Sequence, residues 1–231
     1  MSGARHPLDN PALGSLTGPH AHFAERHGRV LRYPVDVSPW LALPDEPGAE
    51  DWADLASLVG PGGEMGLPAF DGGIPDGWEV TFSLDGVQLV DDGLATAPEP
   101  EAVPLGPADV PEMLDLVERT RPGPFLPRTV ELGTYLGIRR NGTLIAMAGE
   151  RLHPPGWTEI SAVCTPPGLP RRGPRDPADP GGRPRHPRPG RDPVPARRRR
   201  EHHRHPALRG DGLPAAAQDE VRGGAGARTA R

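Results

Sequence analysis

The side chains that can do chemistry are spread unevenly along this 231-residue chain. Cys164 is the only cysteine, which excludes an intramolecular disulfide and a cysteine-built zinc site. A lone thiol at the end of an apolar run reads first as a small packing residue. Reactivity would require surroundings that favour the thiolate. His202, His203 and His205 form a tract of the kind that binds metal. Just before them, Arg197–Arg200 offers four guanidinium groups to phosphates. No aromatic residue follows position 165 to stack on a base, so any nucleic-acid binding there would be non-specific and salt-sensitive.

Charge divides the chain at the same place. Residues 1–165 hold 24 acidic residues and 10 Arg, while residues 166–231 hold 7 acidic residues and 16 Arg. The segments therefore carry −14 and +9, which sum to the formal −5, and there is no Lys. An asymmetry of this size marks an interaction tail or a segment of different origin. Hydrophobic residues make up 35% of the chain and aromatics 4%, low values for a compact domain. No apolar run approaches the roughly 20 residues of a membrane-spanning helix. The opening M-S-G-A-R-H-P-L-D-N lacks the apolar core of a signal peptide, so a soluble cytoplasmic protein is expected.

The elements that would position these groups come from periodicity and turn chemistry. A short helix is predicted over Pro19–His27, stopped by Gly28, then a strand over V-L-R-Y-P-V-D-V. Trp52, Leu55 and Leu58 recur at helical spacing within Ala49–Val59. Trp78, Val80, Phe82 and Leu84 alternate as a strand, and Asp85-Gly86 reads as a turn into Val87–Val90. After an acidic, Pro-rich link at Ala95–Glu101, Val103–Leu105 reads as a strand. A helix should follow, capped by Asp109 with Glu112 completing a capping box and Pro111 in its first turn. Arg121–Thr129 is a loop. Tyr135–Arg139 and Thr143–Ala148 flank Asn141-Gly142, a strong hairpin signal, and Trp157–Val163 supplies a further strand. Residues 166–231 contain thirteen prolines and only five large apolar residues, so they are expected to be disordered.

The run T-Y-L-G-I-R-R-N-G-T-L-I-A-M-A-G-E-R-L, followed by W-T-E-I-S-A-V-C-T, resembles the GNAT N-acetyltransferase family, and within it the FR47-like branch. The resemblance covers about residues 101–165. It implies an α/β fold of the α+β mixed-sheet kind, splayed around acetyl-CoA as acyl donor. Residues 1–100 would then be a small N-terminal α/β module, residues 101–165 the N-terminal part of the GNAT domain, and residues 166–231 a basic tail. The family's fourth strand lends backbone groups to the pantetheine arm, and Ala162, Val163, Cys164 and Thr165 match its end. Glu159 lies on the same strand, where some members carry the base that deprotonates the acceptor amine; its alternative reading is a solvent-facing charge. Glu150 is a second candidate for that role. An R/Q-x-x-G-x-G/A loop should come next, holding pyrophosphate by its N–H groups and the helix dipole. The sequence instead runs P-P-G-L-P-R-R-G-P-R.

A shifted reading frame accounts for the substitution. If one base is inserted at Thr165, each later codon joins the last base of one original codon to the first two of the next. Back-translation of residues 166–178 then permits H-P-G-Y-R-G-x-G-L-A-T-R-L, a pyrophosphate loop in the right place. The same frame over residues 201–213 permits N-T-T-A-I-R-L-Y-E-A-M-G-F, the family's late N-x-x-A-x-x-L-Y-x-x-x-G-F segment. Most positions are permissive, but His202, His203, His205 and Asp211 each allow only two residues, and the family's residue is one of them every time. On this reading the histidine tract encodes Thr or Ile codons out of frame and is no metal site.

The resemblance implies transfer of an acetyl group from acetyl-CoA to an amine on a small molecule or a protein, impaired in this chain by loss of the phosphate cradle. The alternative is a non-enzymatic protein whose basic tail binds nucleic acid or an acidic partner.

Overall fold

The computed structural model describes residues 6–91, 93, 98–166 and 202–210, the last of these as backbone. Helix α1 (Pro11–Leu16) starts where the Asn10 carboxamide oxygen accepts from Leu13 N, and it has Pro at its first position. Strands β1 (Glu25–His27), β2 (Val30–Arg32) and β3 (Leu41–Ala42) form a small antiparallel sheet. The predicted helix Pro19–His27 is therefore not formed. Ala21–Phe23 makes one 3-10 turn, and Glu25–His27 pairs with β2 instead. Gly28, at φ +54, supplies the reversal between the two strands.

Helix α2 (Ala49–Val59) has the predicted limits and buries Trp52, Leu55 and Ala56. Asp51 fixes its first turn: it is buried, accepts from Gly48 N at 2.7 Å, and pairs with Arg29 through both guanidinium arms. The Arg29 contact holds the Asp51 carboxyl below its usual range. Strands β4 (Glu64–Gly66) and β5 (Trp78–Val87) follow. Strand β5 runs straight through Asp85-Gly86, so the predicted hairpin into Val87–Val90 is absent. Its alternation is present, but Val80, Phe82 and Leu84 are exposed rather than buried.

Next come β6 (Ala102–Leu105), α3 (Val110–Thr120), β7 (Tyr135–Arg140), β8 (Thr143–Glu150) and β9 (Ile160–Cys164). The four strands make an antiparallel sheet in the order β6-β7-β8-β9, with α3 packed on one face. The predicted capping box at Asp109 does not form. A 3-10 turn over Pro107–Asp109 precedes the helix, and Asp109 Oδ2 accepts from Gly106 N. The Arg139 guanidinium claims both Asp109 and Glu112, pulling the two acids towards β7 and away from the helix end.

Residues 202–210 depart from the expectation of a tail without structure. Strand β10 (His202–Gly210) lies between β4 and β5, antiparallel to both, and pairs with β5 from His202↔Val87 to Gly210↔Trp78. Backbone pairing explains this where composition does not. Two strands with unsatisfied ladder groups can be bridged by any extended segment. The remainder of the tail lies outside the described residues.

Three apolar clusters hold the fold. One joins α3 to the four-stranded sheet through Met113, Leu116, Tyr135, Leu144 and Met147. A second surrounds Leu55, Trp52 and Met65. The third crosses position 100: Leu16, Leu31, Tyr33 and Val37 pack with Leu132 and Leu152. The loop after α3 is tied down in the same place, where Thr129 Oγ1 donates to Val37 O at 2.7 Å and Arg128 N donates to Asp36 O.

Candidate functional site

The residues picked out for cofactor contact lie on β9, the edge strand of the four-stranded sheet. Its register with β8 is irregular. Met147 faces Cys164 and Gly149 faces Ser161, which leaves Ala148 opposite two residues, Ala162 and Val163. This is a β-bulge, and Ala162 adopts φ +52 within it. An alanine in the left-handed region costs about 1–2 kcal/mol and persists only where its surroundings enforce it. Here the enforcement is packing. Ala162 is buried against the cluster that contains Leu105, Met113 and Leu116. Strand β9 pairs with β8 alone among the described residues, so its other edge presents backbone groups next to the bulge.

Side chains along β9 divide by face. Ile160 and Val163 are exposed, at 63% and 64%, while Ala162 and Cys164 are buried. Burial pushes the Cys164 thiol up, with contact to Thr120 opposing it. Its sulfur lies 3.2 Å from Ala162 O. Cys164 is thus a packed, protonated thiol, and its backbone is the part that remains available. Thr165 is exposed.

Glu159 is not brought to the bulge. It is three positions before Ala162, about 10 Å along an extended strand. Its carboxylate accepts from Arg151 Nε at 2.9 Å and from Arg151 Nη2 at 2.5 Å. The backbone ladder continues beyond β8 and β9 here, with Arg151 N donating to Glu159 O and Glu159 N to Leu152 O. The Arg151 guanidinium also lies over the Trp40 ring, 5.4 Å from its centre. Glu150 is separately engaged: its Oε2 accepts from Thr134 N at 2.7 Å and sits 3.9 Å from His153 Nε2.

Two neighbours were not foreseen. Arg151 closes an ion pair across a seven-residue reversal whose register the sequence pattern does not fix. Tyr135 stands over Gly149, where a Cβ would meet its ring at 2.2 Å. Its buried hydroxyl finds no hydrogen-bond partner among the described residues. Burial, the largest influence, pushes the phenol up to about 12. The one signal available was a small residue facing a large aromatic across adjacent strands. A crevice lined by Asp9, Asn10, Leu43, Asp45, Phe70 and Asp71 lies elsewhere and contains none of the residues singled out above.

An antiparallel sheet with a helix on one face and a bulged, open edge strand defines an α/β protein with its candidate site on β9. A solved structure described as a GNAT-family acetyltransferase by assignment, from Novosphingobium aromaticivorans DSM 12444, is similar to this chain at 36% identity and a TM-score of 0.65. The match covers 73% of this chain and 75% of that one. The chain belongs to the GNAT family. Residues 101–231 are little more than half of the chain, so the match necessarily extends into the first hundred residues. No family model matches the chain, and no curated protein does.

Proposed function

We propose that this chain derives from an N-acetyltransferase of the FR47-like branch, with acetyl-CoA as acyl donor and an amine on a small molecule or protein as acceptor. The observation that carries the reading is the bulge at Ala162 on an open edge strand. An extended amide-bearing arm can add to such an edge as a further strand, and the bulge turns a backbone group out of the ladder at the point of contact. Ala162, Val163, Cys164 and Thr165 would line that arm by backbone, since the Cys164 side chain is committed to the core. Acetyl-CoA supplies the activated acetyl thioester. Glu159 is the carboxylate proposed to take the amine proton, directly or through a water, with Arg151 orienting it.

The phosphate end does not fit. Residues 166–175, P-P-G-L-P-R-R-G-P-R, lack the glycine spacing that lets successive N–H groups converge on a pyrophosphate. We attribute the segment after Thr165 to a reading-frame change and expect the chain to have little or no activity. Isothermal titration of acetyl-CoA into the 231-residue protein should give no saturable micromolar binding; a micromolar Kd would overturn the claim that the cradle is lost. Sequencing the DNA across the Thr165 codon tests the origin. A one-base correction that restores Y-R-G-x-G-L supports it, and an uninterrupted frame with no such solution removes it. In the frame-restored protein, Glu159→Gln should lower kcat while leaving the KM for acetyl-CoA unchanged. An unaltered kcat would remove Glu159 from the chemistry.

A further inference from the structure

Three imidazoles come together where the first hundred residues meet the four-stranded sheet. The His20 ring lies 6.3 Å centre to centre from His22 and 4.9 Å from His153. His20 is 4% exposed, and both of its nitrogens are engaged. Nε2 lies 2.9 Å from Leu132 O, and Nδ1 lies 2.9 Å from the Tyr33 hydroxyl. A carbonyl can only accept, so Nε2 carries the hydrogen. Nδ1 of the neutral ring is then bare and accepts from Tyr33. Alongside, Ser15 Oγ donates to Pro11 O and accepts from His153 N at 2.8 Å. These bonds join α1 and the strand region around Tyr33 to the loop before β7 and the chain after β8.

The contacts are satisfied by a neutral ring. A second proton, on Nδ1, would require the Tyr33 hydroxyl hydrogen to rotate away so that its oxygen accepts instead, and the charge so formed would lie on a ring that is 4% exposed. The titratable neighbours of His20 come from three elements. His22 belongs to its own turn, and Tyr33 lies beyond β2. From the sheet come His153 and, behind it, Glu150, with the Arg151–Glu159 pair farther on. Glu150 is held by Thr134 N and lies 3.9 Å from His153, and Glu159 is paired with Arg151. Among the described residues no carboxylate is hydrogen-bonded to His20. Burial lowers its proton affinity most, the Leu132 contact opposes this, and the His153 and His22 charges lower it further.

We propose that His20 is an acid-sensitive latch between the N-terminal segment and the four-stranded sheet, closed when the ring is neutral and released when it takes a second proton. The proposal does not depend on acetyl transfer. Sign follows from linkage: His20 binds protons more weakly closed than open. The closed state is therefore undiminished above the usual histidine value near 6.5 and loses ground as pH falls below it. One proton changes the open population by at most about tenfold per pH unit.

Hydrogen exchange of the full 231-residue chain between pH 7.5 and 5.0, corrected for the intrinsic rate, tests this directly. Peptides covering 11–20 and 126–132 should lose protection as pH falls, while the β7–β8 hairpin keeps its own. His20→Gln keeps an N–H donor towards Leu132 O without titrating, and should abolish the acid dependence. His153→Gln removes one of the influences that lower the proton affinity of His20 and should make the dependence shallower. Unchanged protection of the native chain down to pH 5.0, or an equal acid loss in His20→Gln, would overturn the latch. If His20→Gln does not fold, imidazole 15N shifts of the native chain decide the matter. The latch requires His20 to remain the neutral Nε2–H tautomer until the pH has fallen below the usual histidine value near 6.5. Titration of His20 at or above that value would refute it.

Discussion

Thr129 shows how much a single hydroxyl can carry. It is 3% exposed, donates to Val37 O and accepts from Leu126 N at 2.8 Å. Thr129→Val keeps the shape but strands a part-buried donor and a buried acceptor, at a cost of about 1–3 kcal/mol. Urea unfolding should show a lower midpoint with an unchanged slope, and Thr129→Ser should recover most of the loss. The two tyrosines give a second residue-scale prediction. Tyr33 and Tyr135 are both buried, and burial pushes both phenols up, Tyr135 to about 12. A phenol raised in the folded state leaves stability intact below the unfolded value near 10 and erodes it from there towards 12. Phenolate absorbance should therefore be missing at pH 10.5 and should appear together with loss of the near-ultraviolet circular dichroism. A phenolate signal from the intact fold at that pH would contradict the burial. At this scale the sequence was informative about types and silent about partners. Glu159 could be picked out on its strand, but the Arg151 that grips it depends on how the intervening reversal folds back.

Among the elements, those written in local chemistry formed as expected. The β7–β8 turn has Asn141 at φ +51 and Gly142 at φ +83, the two positive values that a two-residue reversal demands. Gly142→Ala should cost about 1 kcal/mol through the left-handed backbone alone, seen as a lowered Tm. The helix at Ala49–Val59 was equally legible, because its apolar spacing and flanking glycines agree. Elements decided by competition were not. Asp85-Gly86 has turn chemistry, yet β5 stays extended because β10 pairs along it from Trp78 to Val87. Asp109 and Glu112 have capping spacing, yet a guanidinium on β7 outbids the helix end. Strand β5 also leaves Val80, Phe82 and Leu84 exposed at about half their surface. A contiguous apolar stripe promotes self-association. Phe82→Lys should reduce light scattering on concentration without lowering Tm, and a large drop in Tm would mean the face is packed in solution.

For the whole molecule, the decisive feature is that the division near residue 100 does not divide the packing. Leu132 and Leu152 sit in a cluster with Leu16, Leu31 and Tyr33, and the His20 and Thr129 contacts cross the same boundary. Residues 1–100 expressed alone should therefore expose that cluster, bind a hydrophobic dye and lack a cooperative thermal transition. The region 1–166 in the intact chain should melt as one unit. A sharp transition in the isolated fragment would restore the two segments as independent modules. No helix among the described residues is long and apolar enough to cross a membrane. The sequence by itself determined the family, the strand order around Asn141-Gly142 and the change of character after Thr165. Those properties are carried by residue order, hydrophobic period and charge along the chain. Only the tertiary structure decided that Ala162 is bulged, that Cys164 is a packed thiol, that Glu159 is held by Arg151 and that His20 bridges the boundary. Each of these rests on groups distant in sequence meeting across strands, and periodicity carries no record of which partner arrives.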